Sequence, residues 1–306
     1  MIHHQCSNPS EVKLNKKIVQ ESYAFWAEFI QEKSYLNWGL WNKKLQQEFV
    51  DLNYNHNEIS TVQDPFSLLL LYYLIRPLLI KKCYNKRLLD IGSGYGVGLK
   101  TMSQLLQTNY ALGIDLTHIL AARAQHSFYV TNEINYIQSD AEQLPLESNS
   151  FDIITNLESS HNYPQIVHFL SEVERVLAPG GYFCYADVDL PGKSQISILK
   201  SFIKRSPHLK IILKQDISKM VQAAIYNRLI INEEHFYANA LHYFDQSSPL
   251  LYSEIEHLTT IAGLTFLPWW KIHFKTKELK GIAKKARKIR FWSKRKRYFY
   301  YLIQKN

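Results

Sequence analysis

Cysteine is nearly absent. Cys6, Cys83 and Cys184 are three in number and widely spaced, which argues against a disulfide framework and for a reducing compartment. Long apolar runs are absent too. The most apolar one, Phe66 to Ile80, contains Arg76-Pro77. It falls short of the roughly 20 residues that a bilayer span requires, so it reads as a buried helix. No basic segment followed by an apolar core opens the chain, so no signal peptide is expected. Nor is there a ligand set for a metal-assisted mechanism: His3, His4 and Cys6 lack a second ligand pair, and residues 1–20 read as a polar, frayed terminus. No repeat or low-complexity tract is apparent. The expected location is cytoplasmic, with membrane association left open.

What is present describes an ordinary globular protein. The 306 residues are 46% hydrophobic and 21% charged, enough for one large domain or one domain with a sizeable insertion. The net charge of +9 is unevenly placed. From Lys271 to Asn306, 14 Lys/Arg face a single acid, Glu278, so a mildly acidic body carries a strongly basic end.

Along the chain, aromatics crowd between Gln20 and Gln47, with Tyr23, Trp26 and Ile30 on one helical stripe and Trp38-Gly39-Leu40-Trp41 as a loop. Asp64-Pro65 is a helix start with Asp as N-cap, and Pro77 is expected to kink or end that helix. Short apolar runs then alternate with helical segments. Strands are expected at Arg87–Ile91, Ala111–Asp115, Ile134–Asp140, Phe151–Asn156 and Tyr182–Val188. Helices are expected at about Val97 to Gln107, after Thr117, and from Tyr163 to Leu177. This alternation means a parallel, doubly wound sheet. Leu190 to Ser248 breaks it with helical, mixed-polarity sequence and reads as an inserted cap. Leu250–Ala262 reads as an amphipathic helix, Leu264–Phe274 as a strand-like run, and Tyr298–Ile303 as a final strand. Four regions result: an N-terminal helical and aromatic cover (1–63), a nucleotide-binding core (64–189), a helical insertion (190–248), and the end of the core with its basic segment (249–306).

Chemistry concentrates where strands end. Leu88-Leu-Asp-Ile-Gly-Ser-Gly-Tyr-Gly96 turns a buried strand into a helix through glycines that let a flat ligand approach the backbone. Three consecutive strands end in acids: Asp90, Asp115 and Asp140. The acid after strand two suits two adjacent ribose hydroxyls, the acid after strand three an exocyclic amine, and Asp90 an ammonium. A dinucleotide site is the competing reading. It is disfavoured because the spacing is Gly-x-Gly-x-Gly, with no glycine at position 97 and no downstream hydride-transfer site.

These motifs resemble those of class I S-adenosylmethionine-dependent methyltransferases. Besides the glycine turn, Leu112-Gly-Ile-Asp-Leu116, Ser139-Asp-Ala-Glu-Gln-Leu-Pro145, Ser150-Phe-Asp152 and Arg175–Tyr182 follow in the family's order over about Tyr23 to Val188. The resemblance implies a Rossmann-like, seven-stranded, mostly parallel sheet with an antiparallel last strand. It implies S-adenosyl-L-methionine as cofactor, S-adenosyl-L-homocysteine as product, Gly92 and Gly94 near the methionine part, Asp115 on the ribose and Asp140-Ala141 at the adenine. Asp90, Leu116, Glu142 and Asn156, beside these positions, complete the cofactor-binding candidates of the core. Asn156-Leu-Glu-Ser-Ser-His-Asn-Tyr-Pro164 and Tyr35–Trp41 are similar to small-molecule O-methyltransferases near the phthiotriolone dimycocerosate and polyketide enzymes. That likeness implies Tyr35 and Trp38 closing over the cofactor, and a methyl-transfer site after strand four.

His161 is the candidate base there, since its ordinary pKa of about 6.5 suits neutral pH. A structural histidine is the alternative. Glu158 is expected to orient His161 or to receive a cofactor group. The reading is O-methylation of a small hydrophobic, lipid- or polyketide-like molecule. N- or C-methylation of an amine or quinone, and a non-catalytic cofactor-binding or membrane-docking protein, remain alternatives. The basic segment 271–297 reads as a solvated helix, as a contact with an anionic membrane, or as a nucleic-acid contact. The last is disfavoured because the core shows no RNA-binding module. Oligomeric state is not legible.

Overall fold

In the computed structural model of this chain the described residues are 5–29, 35–52, 64–189, 194–231, 266–267 and 296–306. Among them, helices α1 (Pro9–Phe29), α2 (Lys43–Asp51) and α3 (Pro65–Ile80) precede an alternating core. That core runs β1 (Arg87–Ile91), α4 (Val97–Leu106), β2 (Tyr110–Asp115), α5 (His118–Phe128), β3 (Ile134–Gln138), β4 (Phe151–Leu157), α6 (Ile166–Val176) and β5 (Leu177–Asp189). Helix α7 (Gln195–Arg205), strand β6 (Leu209–Asp216), helix α8 (Ser218–Tyr226) and strand β7 (Arg297–Lys305) complete it. A Rossmann-like sheet of seven strands forms in the order β3-β2-β1-β4-β5-β7-β6. β1 to β5 are parallel, and β7 lies antiparallel between β5 and β6.

Successive strand residues point to opposite faces, and both faces are covered. On one side Leu88, Ala111, Ile153, Cys184 and Tyr300 pack against α3, α4, α5 and α8. On the other, Leu89, Leu112, Ile154, Phe183 and Tyr301 meet Phe169 and Val173 of α6 and Leu199 of α7. A sheet buried on both faces leaves ligands only the rim beyond the carboxyl ends of its strands. Strand order reverses at β1, between β2 and β4, and a crevice opens there.

Several expectations need correction. The terminus is not frayed from residue 9 onward, because α1 spans Pro9–Phe29 and Cys6 is buried, its N–H donating to Pro164 O at 3.1 Å. Asp64 caps α3 by accepting from Phe66 and Ser67 N–H, as expected. Pro77 does not end that helix: Leu74, Ile75 and Leu78 are fully buried around it and carry the turn on to Ile80. The stretch read as a helical insertion contains β6. Its Leu209 and Ile211 pack on one face and Leu213 on the other, Lys210, Ile212 and Lys214 are exposed, and a bulge between Ile211 and Leu213 blurs the period. Strand β5 begins at Leu177 rather than Tyr182, with an irregular register against β4 around Pro179-Gly180-Gly181.

The Trp26 and Ile30 side chains, the helix read at 250–262, most of the strand-like run at 264–274 and the basic helix at 281–292 lie outside the described residues. Of that run, Phe266 and Leu267 are described and buried.

Candidate active site

The glycine turn after β1 is held under β2: Gly92 and Ser93 N–H both donate to Ile114 O, at 2.8 and 2.9 Å. Gly92 and Gly94 have φ of +79° and +55°, a region that side-chain-bearing residues avoid. A Cβ on Gly92 would stand 2.1 Å from Ser159 Oγ. Close approach across the crevice therefore requires glycine at 92.

Beyond this turn lies a narrow cleft of about 70 Å³. Of the residues singled out in the sequence, Gly92, Asp115, Leu116, Asp140, Ala141, Glu142 and Glu158 line it. Asp115 accepts from Gly94 N–H at 3.0 Å and from Thr117 N–H at 2.8 Å, one bond per oxygen. The Thr117 side chain donates to the carboxylate as well, and a carboxylate's roughly four acceptor sites leave capacity for a hydroxyl donor. Burial pushes its pKa up, and the two N–H donors pull it back.

At the other end, the Lys16 ammonium of α1 bridges Asp140 and Glu142, 2.5 Å from each. Burial raises the Glu142 pKa while Lys16 opposes it. Gln20, one turn on, donates to Leu116 O at 2.9 Å. Lys16 is not legible from sequence, since a lone lysine on a polar helix carries no periodic signal.

Other expected residues lie around the cleft rather than in it. Asp90 is buried under the turn and accepts from Thr155 Oγ at 2.7 Å. Burial drives its pKa to about 7, and no ammonium reaches it among the described residues. Asn156 donates to Ile91 O at 2.8 Å and to Tyr163 Oη at 3.2 Å, which sets the strand-end register beneath the cleft. Tyr35 leans on Thr101 Oγ at 3.4 Å, and Trp38 meets Phe266 edge-on with centroids 5.5 Å apart. Neither lines the cleft. The residue of that loop which does is Leu36, seated above Gly94.

Glu158 takes a left-handed backbone, φ +49°, and its carboxylate accepts Trp38 N–H at 3.0 Å and Tyr298 O–H at 2.7 Å. Burial raises its pKa to about 7, against these two donors. It does not orient His161. The carboxylate on the His161 ring is Asp187, from the end of β5, with Oδ1 at 2.8 Å from Nδ1. Asp187 is fully buried and also accepts from His161 N–H at 3.0 Å and Ser160 O–H at 2.7 Å. Burial lowers the His161 pKa, but the Asp187 charge and hydrogen bond outweigh it and leave it raised. Asp187 was legible only as a polar residue ending an apolar strand, the signal that had singled out the earlier acids.

With Nδ1–H donating to Asp187, Nε2 is the acceptor, 3.3 Å from Asn162 Nδ2. Asn162 and Tyr163 line the cleft, so the ring stands one residue from its wall. The fixed tautomer can take a proton at Nε2.

Residues 89–185 match the family described as the methyltransferase domain. A probable phthiotriol/phenolphthiotriol dimycocerosates methyltransferase 2 of Mycobacterium ulcerans is 40% identical over 104 residues, 34% of this chain and 40% of that protein. A fatty-acid O-methyltransferase of Mycolicibacterium smegmatis is 39% identical over 105 residues, 34% of this chain and 37% of its own. The chain thus spans well under half the length of both relatives.

Among solved structures, the [4+2]-cyclase SpnF superposes with a TM-score of 0.62 at 15% identity, covering 95% of this chain and 96% of that one. Geranyl diphosphate C-methyltransferase from Streptomyces coelicolor A3(2) gives 0.60 at 11% identity, with 98% and 99% covered. At such identities these two share the fold alone. Over residues 89–185, then, the chain matches a methyltransferase domain, set in a seven-stranded Rossmann-like sheet.

Proposed function

We propose that this protein transfers the methyl group of S-adenosylmethionine to a hydroxyl oxygen of a small hydrophobic molecule. The observation that carries the reading is the His161–Asp187 pair beside the cleft wall. A hydroxyl must lose its proton as its oxygen is methylated, and a fixed, proton-accepting imidazole is placed to take it. The names of the relatives, a dimycocerosates methyltransferase and a fatty-acid O-methyltransferase, support a lipid-like acceptor.

The residues present suit the cofactor. The positive-φ glycine turn admits the methionine part, Asp115 retains acceptor capacity for the ribose, and Asp140 with Ala141 stands at the nucleoside end. Leu116, Glu142 and Asn156 flank these contacts. When bound, the cofactor supplies an electrophilic sulfonium methyl.

The chain's own residues do the rest. His161 Nε2 accepts the hydroxyl proton, and Asp187 stabilises the imidazolium that results. Glu158 and Tyr298 fix the Trp38 backbone, so that Leu36 closes on the glycine turn and excludes water. The basic run at 271–297 supports peripheral contact with an anionic membrane, where such an acceptor would reside.

The test is methyl transfer from labelled S-adenosylmethionine to hydroxylated lipids, phenols and amines, with His161→Ala beside the wild type. Transfer to hydroxyls that falls by about 100-fold or more in the variant fits a general base. Transfer confined to amines would overturn the reading.

A further inference from the structure

The far flank of the sheet gathers three cations. Helix α7 contributes Lys200, β6 contributes Lys214, and β7 contributes Arg297. The Lys200 and Lys214 ammoniums lie 5.5 and 5.6 Å from the centre of the same buried ring, Phe299. Burial depresses the Lys200 pKa first, then the Lys214 charge, with Arg297 adding to it and Asp189 opposing. Among the described residues none of the three cations forms an ion pair.

Two acids stand near. Asp189 pairs in register with Arg297, and its Oδ1 accepts Ser194 O–H. Asp216 pairs in register with Phe299, and its Oδ1 accepts the Ser218 N–H and O–H. Neither balances the lysines. Cation–π attraction to a single ring does not cancel repulsion between two ammoniums, and each stem is flexible enough to swing its charge into water. The two ammoniums converge over one ring with three donors each, and Arg297, near enough to act on Lys200, adds a planar fork.

We infer that Lys200, Lys214 and Arg297 bind a phosphoryl-type anion, presented by a phospholipid headgroup or as a free phosphate compound. A tetrahedral group with several acceptor oxygens bridges all three, where a single carboxylate offers two. The position gives the site a use. Asp187, which holds the His161 ring, pairs in register with Phe299, the ring beneath the two lysines, so the cluster shares the carboxyl-end rim of β5 with the His161–Asp187 pair. The basic run of the sequence also enters β7 at Arg297, so the cluster continues it onto the folded body.

The experiment compares the full chain with a Lys200→Gln/Lys214→Gln double variant, after circular dichroism has shown both folded. Inorganic phosphate is titrated calorimetrically, and sedimentation is measured with phosphatidic acid and with phosphatidylcholine vesicles at fixed salt. Saturable phosphate binding that weakens about tenfold or more in the variant supports the site and shows that the free anion suffices. Binding to phosphatidic acid vesicles alone, weakened to the same extent, supports it with the headgroup as source. Indifference of the wild type to both, or equal binding by wild type and variant, overturns it. Turnover is not read, so the result stands apart from whether the chain methylates an oxygen.

Discussion

Asp187 grips His161 twice, at the ring through Oδ1 to Nδ1 (2.8 Å) and at the backbone through Oδ2 to N–H (3.0 Å). The first contact selects the tautomer and raises the pKa, and the second fixes the turn that carries the ring. A group raised above its ordinary value is protonated, and so useless as a base, below that value. The acid limb of kcat/KM should follow it. Asp187→Asn removes the charge, and burial then prevails, so the limb should move to lower pH while kcat falls by about 10²-fold or more. KM for the cofactor should change little. A pH–rate profile with an unmoved limb would separate His161 from the chemistry.

Glu158 predicts a stability effect of definite sign. Its folded pKa of about 7 lies above the ordinary carboxylate value, so the folded state holds the proton more tightly than the unfolded one. That contribution is fully present below the unfolded pKa and is lost as pH rises to about 7. The loss is on the order of 3 kcal/mol. The neighbours with the same interest are Asp187, whose charge adds to the shift, and His161, which opposes it. Glu158→Gln keeps an acceptor for Trp38 N–H and Tyr298 O–H but cannot ionise. Urea unfolding at pH 5 and pH 8 should show the variant gaining on the wild type as pH rises; a constant gap between them would refute the shift.

The sheet was legible because its strands are short apolar runs ending in acids, and local pattern determines such elements. The same reasoning reached Asp115 and Asp140, which line the cleft. It could not reach Lys16, whose partners lie more than a hundred positions away, or the Trp38 and Glu158 contact, which joins a loop to the end of β4. β6 was missed because an edge strand with lysines outward and a bulge shows little of the alternation that marks a strand. Glu158 reads from the sequence as orienting His161 or receiving a cofactor group. The fold instead brings in Asp187 from the adjacent strand, since consecutive parallel strands align their carboxyl ends.

Lys16→Met gives two effects of opposite direction. Glu142 is buried, and Lys16 is its only ion-pair partner among the described residues, so the variant should lose about 2–4 kcal/mol in chemical unfolding. Asp140 meanwhile becomes free to accept from the amine of a bound nucleoside, so calorimetric titration should show S-adenosylmethionine binding about threefold or more tighter. Loss of both stability and affinity would mean that Lys16 supports the nucleoside end rather than competing for it.

Arg228 clamps Trp38 from the side opposite Glu158. It donates through Nη1 to Asn37 O at 3.1 Å and Trp38 O at 2.9 Å, and through Nη2 to Ser67 Oγ at 2.8 Å and to Asp64. The Trp38 residue is thereby fixed at both ends, its N–H on a carboxylate and its C=O on a guanidinium. Arg228 sits in a π-helical turn at Asn227–Ile231, directly after α8, so the cover of the cleft is tied to the chain that follows β6. Arg228→Ala takes the guanidinium donor from Trp38 O and the charge partner from Asp64, which keeps its Phe66 and Ser67 donors, and should cost about 2–4 kcal/mol. Arg228→Lys should recover less than half of that, because an ammonium cannot place two donors on one side and two on the other in the plane of a fork. The closing of Leu36 over Gly94 depends on this loop, so both variants should also raise KM for the cofactor by about tenfold. Wild-type stability and KM in Arg228→Lys would show that charge alone, rather than the fork, holds the loop.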